Sequence, residues 1–225
     1  MPIEVAGQVG PQTLADGASQ TFRQGRTGAL VVVELHGRYY EQTFRNNTYM
    51  VGTAGLVALS ANTITLTNTS TPILGIWNPA SSSVNVAVLQ ASLSTVINTV
   101  TTPVGSGAYA WAASVGNSAI STGLTPWNAK TLVQTGSQVK GFAGATALTG
   151  LTNNLTIMMA ADFPSVTALT YGTITNTNVI YSNGAVQNFD GSLIVPPGGV
   201  LSLVNTTSTT TMSIVGRILW EEVPI

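Results

Sequence analysis

The sequence predicts an all-β protein, a jelly-roll-like β-sandwich with an extended N-terminal arm and hairpin. Three observations lead there. Short runs rich in Val, Ile and Thr recur along the chain, Asn, Gly, Pro and Ser clusters separate them, and no segment shows convincing helical periodicity with caps. Connectivity is not legible in strand spacing; the jelly roll is the expected arrangement for many short strands with frequent turns.

The N-terminal segment is set apart by charge. Glu4, Asp16, Arg23, Arg26, Glu34, Arg38, Glu41 and Arg45, eight of the fifteen charged residues, lie in the first 45 positions. The next 84 residues, Asn46 to Ala129, contain no Asp, Glu, Lys, Arg or His. This composition boundary divides the chain into an arm and hairpin, residues 1–45, and a sandwich body, residues 46–225. Residues 1 to 28 carry scattered Gly, Gln and Pro with little periodicity and read as an extended arm. Ala29 to Leu35 and Arg38 to Phe44 then flank His36-Gly37 as a β-hairpin.

In the body, the expected strands are Leu56 to Ser60, Thr63 to Leu66, Pro72 to Trp77 and Ser83 to Val96. Leu155 to Ala160, Tyr171 to Ile174, Asn178 to Tyr181, Ser192 to Val195, Val200 to Val204 and Thr211 to Trp220 complete the set. Val84, Val86 and Val88 share one face, as do Met212, Ile214, Gly216, Ile218 and Trp220. The opposite faces of both strands are also largely apolar, which predicts cover on both sides, by a second sheet and by a neighbouring subunit. The best helical candidate is the short Ala-rich stretch Ala108 to Ser114.

Composition narrows function. Only 7% of residues are charged, against roughly 25% in an ordinary soluble domain. Hydrophobic residues stand at 44%, so disorder is not expected. A net charge of −1 offers little colloidal repulsion and no basic footprint for nucleic acid. An obligate assembly, whose interface cores are poor in charge, is the expected state. The absence of Cys excludes disulfides and thiolate metal sites. No secretory signal and no run long enough for a spanning helix is visible, so synthesis in a cytoplasm and no membrane partner are expected.

No residue pattern carries catalysis. His36 is the only histidine and sits at the expected hairpin turn. Glu221 and Glu222 are adjacent, so on a strand they face opposite ways and cannot form a glycosidase pair. Asp162 and Asp190 read as turn residues. Gly141 to Gly150 lacks the Lys of a phosphate-cradling loop, and the N-x-[ST] sequons are expected by chance in so Asn- and Thr-rich a chain. No cofactor and no metal is expected. Trp77 and Trp220 read as core, whereas Trp111 and Trp127, in the loop-rich middle, are candidate contacts for a glycan or partner. Arg23, Arg26, Arg38 and Arg45 are the candidate partner-binding cations of the arm.

Three stretches carry a resemblance: Gly25 to Glu41, Ile76 to Ser94 and Gly191 to Ile225, the last breaking at Pro196-Pro197-Gly198-Gly199 before two closing strands. Together they resemble structural proteins of tailed-bacteriophage virions, jelly-roll capsid decoration or cement proteins in particular. The resemblance covers about a third of the chain, contains no specific signature and carries over no site residue. It implies a homotrimer on the outside of a head that clamps the major capsid protein. The alternatives are a tail-fibre or receptor-binding tip that binds sugars, the coat protein itself, or a polysaccharide-cleaving enzyme. The coat protein would carry more basic charge, and the enzyme lacks groups for a site.

Overall fold

A computed structural model describes residues 37–53, 57–58, 72–97, 109–118, 120, 123–143, 150–161, 182–205 and 212–225. The chain separates into two compact units, Met1–Glu41 and Gln42–Ile225, so Arg45 belongs to the second.

The described elements begin with a short helix, α1 (Tyr40–Phe44), then β1 (Thr48–Gly52), β2 (Val57–Ala58), β3 (Leu74–Trp77), β4 (Val84–Ile97) and β5 (Tyr109–Ser114). The order continues with β6 (Trp127–Asn128), β7 (Lys140–Ala143), β8 (Thr156–Ala160), β9 (Ser182–Val195), β10 (Val200–Asn205) and β11 (Met212–Pro224).

Two antiparallel sheets face each other. The first runs β6-β1-β11-β4-β9, with β2 also pairing β11, and the second runs β7-β3-β10-β5-β8. Without the short strands β2, β6 and β7, the orders are β1-β11-β4-β9 and β3-β10-β5-β8. Eight strands are thus wound so that first and last are neighbours in one sheet and the chain crosses repeatedly between sheets, the jelly-roll arrangement.

Period two explains the first sheet. Ile214, Ile218 and Trp220 of β11 are 0% exposed and meet Val51, Val86, Val88, Leu201 and Leu203 in the main core. Between Val88 and Gln90 the strand β4 carries an extra residue, Leu89, relative to β11. This bulge switches the inward set from Val86 and Val88 to Ala91 and Leu93, as a one-residue slip must. On β9, Asn188 pairs Gln90 and Leu193 pairs Val88, so the residues from Phe189 to Ser192 form an excursion there. Asp190 and Gly191 have φ of 53° and 80°, the paired left-handed conformation that Asp-Gly favours. The turn expected at Asp190 is present, inside a strand.

Two-sided burial occurs in the other sheet. All six residues of β10 are buried. Leu201 and Leu203 enter the main core, while Val200 and Val204 join Ala110, Ala112, Ile120, Phe142 and Leu155 in a second cluster on the sheet's far side. On β11, where double cover was expected, Val215 and Leu219 are half-buried and Arg217 is exposed. No described part of the chain closes over that face.

The asparagines of two turns join the layers. Asn78 donates to the carbonyls of Val84 (2.8 Å) and Val195 (3.1 Å), and its backbone pairs with Gly198 and Gly199. Asn117 donates to Gly198 O (3.2 Å) and accepts from Thr152 N (2.9 Å). The Pro196 to Gly199 turn is therefore held from both sides by buried amides, which satisfies backbone groups that would otherwise be stranded.

Two local expectations are corrected. Arg38 to Phe44 is not a hairpin strand: its last five residues form α1. The helix ends because Asn46 adopts φ 64°, with Asn46 N donating to Thr43 O and Asn47 N to Gln42 O, the paired bonds of a Schellman cap. Ala108 to Ser114 is not helical either. Its residues from Tyr109 form β5, paired with β10 and β8, and neighbouring strands override the weak helical propensity of alanine. The expected strands at Thr63 to Leu66, Tyr171 to Ile174 and Asn178 to Tyr181, and the first hairpin arm, lie outside the described residues.

Candidate functional site

The outward face of the first sheet is the candidate site, and its edge is built around Trp127. The strand β6 pairs with β1 so that Met50 opposes Trp127 and Tyr49 opposes Asn128. Alternation then sends Tyr49, Val51 and Asn128 inward and leaves Met50 and Trp127 outward. Asn128 is 5% exposed and fixes the turn that follows: its Oδ1 accepts from Lys130 N (3.0 Å) and Thr131 N (3.1 Å), and its Nδ2 donates to Asn46 O (3.1 Å). The Asx turn makes the backbone under Trp127 rigid, yet the indole is 43% exposed. Lys130 folds away from it, donating to Phe44 O at 2.8 Å with its ammonium 4.4 Å from the Phe44 ring centre.

Beside Trp127 lies a depression of about 460 Å³ lined by Met50, Gly52, Thr53, Leu124, Thr125, Gln134 and Arg217. Gln134 Nε2 donates to Thr125 O at 3.3 Å. Arg217 Nη2 donates to Gln90 Oε1 at 2.8 Å, and Gln90 Nε2 donates to Asn188 Oδ1 at 3.0 Å. A chain of neutral amides across β11, β4 and β9 thus fixes the guanidinium. A second depression of about 380 Å³ adjoins the first and shares Thr53 with it. Ser92, Ser94, Val186 and Val215 line this second part.

The other sequence candidates fall elsewhere. Trp111 is 0% exposed, stands edge-on to Phe189 with centroids 5.4 Å apart, and donates through Nε1 to Gln187 Oε1 at 2.8 Å. It is a core residue of the sandwich, so its indole face is closed to glycans and partners. Trp220 is fully buried as expected, tilted against Tyr49 at 6.4 Å, while Trp77 is half-buried against the second cluster. Arg38 and Arg45 are exposed. Arg23, Arg26, His36 and Asp162 lie outside the described residues.

Glu221 and Glu222 do face opposite ways. Glu222 is 7% exposed and accepts from Ser137 Oγ and from Gln138 N, tying the loop after Gln134 to β11. Glu221 lies outward, and burial pushes its carboxyl above the ordinary range. Burial also raises the Tyr49 phenol, helped by the nearby Glu222 charge and opposed by a hydrogen bond with Asn128. Tyr109, deeper in the core, is pushed by burial to about 12. Each of these shifts has a structural cause in the sandwich. Among the described residues no three His, Asp or Glu come together in a metal-holding group, and no helix is long and apolar enough to cross a membrane.

Sequence reasoning did not find Arg217 or its amide chain. The signal available was the lone cation on the outward face of an otherwise uncharged strand stretch, Met212 to Trp220. Comparison with protein-family models, with curated proteins and with solved structures finds no match for this chain.

Proposed function

We propose that the chain is a structural virion protein, a capsid decoration protein of the cement type that binds the outside of a phage head as a trimer and stabilises it. The observation that carries this reading is the partition of charge between the two units. Met1–Glu41 holds seven of the fifteen charged residues, and the much longer unit Gln42–Ile225 is left nearly uncharged. A charged segment suits a partner surface, where ion pairs set orientation and on-rate. An uncharged sandwich suits packing around a threefold axis. Apolar side chains exposed on the body, Ile157, Met158 and Met159 on β8 and Ile194 and Val223 on the first sheet, supply surface for such packing.

The test is co-sedimentation with emptied heads of the virus that encodes the chain, using the intact protein and the variant with Arg23, Arg26, Arg38 and Arg45 all replaced by Ala. The reading expects the intact protein to bind and the variant to lose binding with an unchanged far-ultraviolet spectrum. Equal binding by the two would refute the role given to the arm. Light scattering checks the trimer, expected at three times the 23.2 kDa chain mass. A second reading, a receptor-binding tip that takes sugars, is favoured by one specific observation, the rigidly held and exposed Trp127.

A further inference from the structure

We propose that the outward face of the first sheet carries a trough for an acidic oligosaccharide, with sugar rings lying on Trp127 and a sugar carboxylate paired with Arg217. This goes beyond the decoration reading and does not rest on it, because head binding and glycan binding are measured separately.

The shape comes first. The two depressions, about 460 and 380 Å³, meet at Thr53 and run across β1, β11, β4 and β9. Each lies in the volume range of small-ligand sites, and a shared wall suits a chain of rings better than a single compact molecule. The platform comes next. An indole 43% exposed, beside a turn pinned by Asn128, presents a flat apolar face with little loop entropy to lose on binding. The C–H face of a pyranose matches such a surface.

Charge narrows the ligand. Arg217 is held by Gln90, a neutral amide, and among the described residues no carboxylate lines either depression. The nearest acid on the same face of β11, Glu221, is four residues along the strand, about 13 Å away and beyond the screening length in physiological salt. Beside the bond it gives to Gln90, the planar guanidinium carries further N–H donors in the fork geometry that suits a carboxylate. A single cation is too little for a nucleic acid, whose binding needs several phosphate contacts. The remaining polar wall is uncharged, with the hydroxyls of Thr53, Ser92 and Thr125 and the amide of Gln134. Hydroxyl and amide partners with one fixed cation fit a uronate- or sialate-containing chain.

The test uses the full chain and three probes, tetragalacturonate, a hyaluronan tetrasaccharide and sialyllactose, with cellotetraose as the neutral control. Trp111 and Trp220 are fully buried and half-buried Trp77 lies on β3 of the other sheet, so tryptophan emission responds to a ligand in the trough chiefly through Trp127. At least one acidic probe is expected to give a saturable change at millimolar concentration or below, weakened by added salt. Trp127→Ala is expected to weaken it about tenfold or more, read by calorimetry since the reporter is removed. Arg217→Gln is expected to abolish the preference for the acidic probe over cellotetraose while leaving emission at its native wavelength, which shows that the fold is intact. No saturable response to any acidic probe overturns the proposal. So does binding that Trp127→Ala leaves unchanged, or an acid preference that survives Arg217→Gln.

Discussion

Replacing Trp111 separates a core residue from a surface contact, and the structure sets the size of the effect. Trp111→Ala removes one of the two largest fully buried side chains from between the sheets, together with its edge contact to Phe189. Truncations of this kind cost about 3–5 kcal/mol, because the cavity collapses only partly. For a sandwich of this length the melting temperature falls by about 2–4 °C per kcal/mol, so a drop of roughly 6–20 °C is expected. Trp111→Phe isolates the polar part. It keeps most of the volume but takes the donor from Gln187 Oε1, itself 8% exposed, at a cost of about 1–2 kcal/mol. Adding Gln187→Leu to Trp111→Phe removes both partners and is expected to recover part of that loss, giving a favourable coupling in the double-mutant cycle. Urea unfolding followed by far-ultraviolet circular dichroism measures all four proteins. A stability change under about 1 kcal/mol for Trp111→Ala would refute the core placement, since no buried indole is deleted so cheaply.

Three further outcomes follow from the geometry. Gly75 pairs with Phe142 across β3 and β7, and a Cβ there would lie 2.3 Å from the Phe142 ring and 2.7 Å from Leu201 O. Gly75→Ala is therefore expected to destabilise by about 1–3 kcal/mol in urea, and Phe142→Leu in the same chain to relieve part of it. The Glu221 carboxyl is raised by burial, so its ionised form is disfavoured in the folded state. The stability it contributes is fully present below the unfolded value of about 4.5 and is lost as pH rises through the raised folded value. Glu221→Gln is expected to gain stability at neutral pH and nothing at pH 4, read from melting curves at both. Tyr109, at about 12 when folded against 10.0 in its unperturbed state, is expected to stay neutral until the sandwich opens. Its contribution is present below pH 10 and is lost between about 10 and 12, so the part of the phenolate absorbance that Tyr109→Phe removes should appear together with loss of structure in that window.

Some of this molecule is local and some is not. Alternation in Val84 to Val88 and in Met212 to Trp220 determines which residues of β4 and β11 face the core, because a pleated strand sends neighbours to opposite sides whatever its partners. The Pro-Pro-Gly-Gly break between β9 and β10 and the Asp190-Gly191 turn are equally local, since their backbone angles are properties of those residues. Glu221 and Glu222 were separable on the same ground. The first part of β9 was not legible, because its polar, Gly-containing run reads as loop until β4 pairs with it. Tertiary pairing also decided β5, whose Ala-rich run became a strand between β10 and β8. The candidate site turned on the same distinction. Trp111 and Trp127 look alike in sequence, two aromatics in loop-rich surroundings. Only the pairing of Trp111 with Leu203 and Met159 puts one inside the sandwich, and only the pairing of Trp127 with Met50 leaves the other on its face. Arg217 gains its meaning in the same way, from Gln90 and Asn188 on strands far away in the chain. Strand character follows from local sterics, but a strand's neighbours and the cover over each face are long-range facts, and only the folded sandwich contains them.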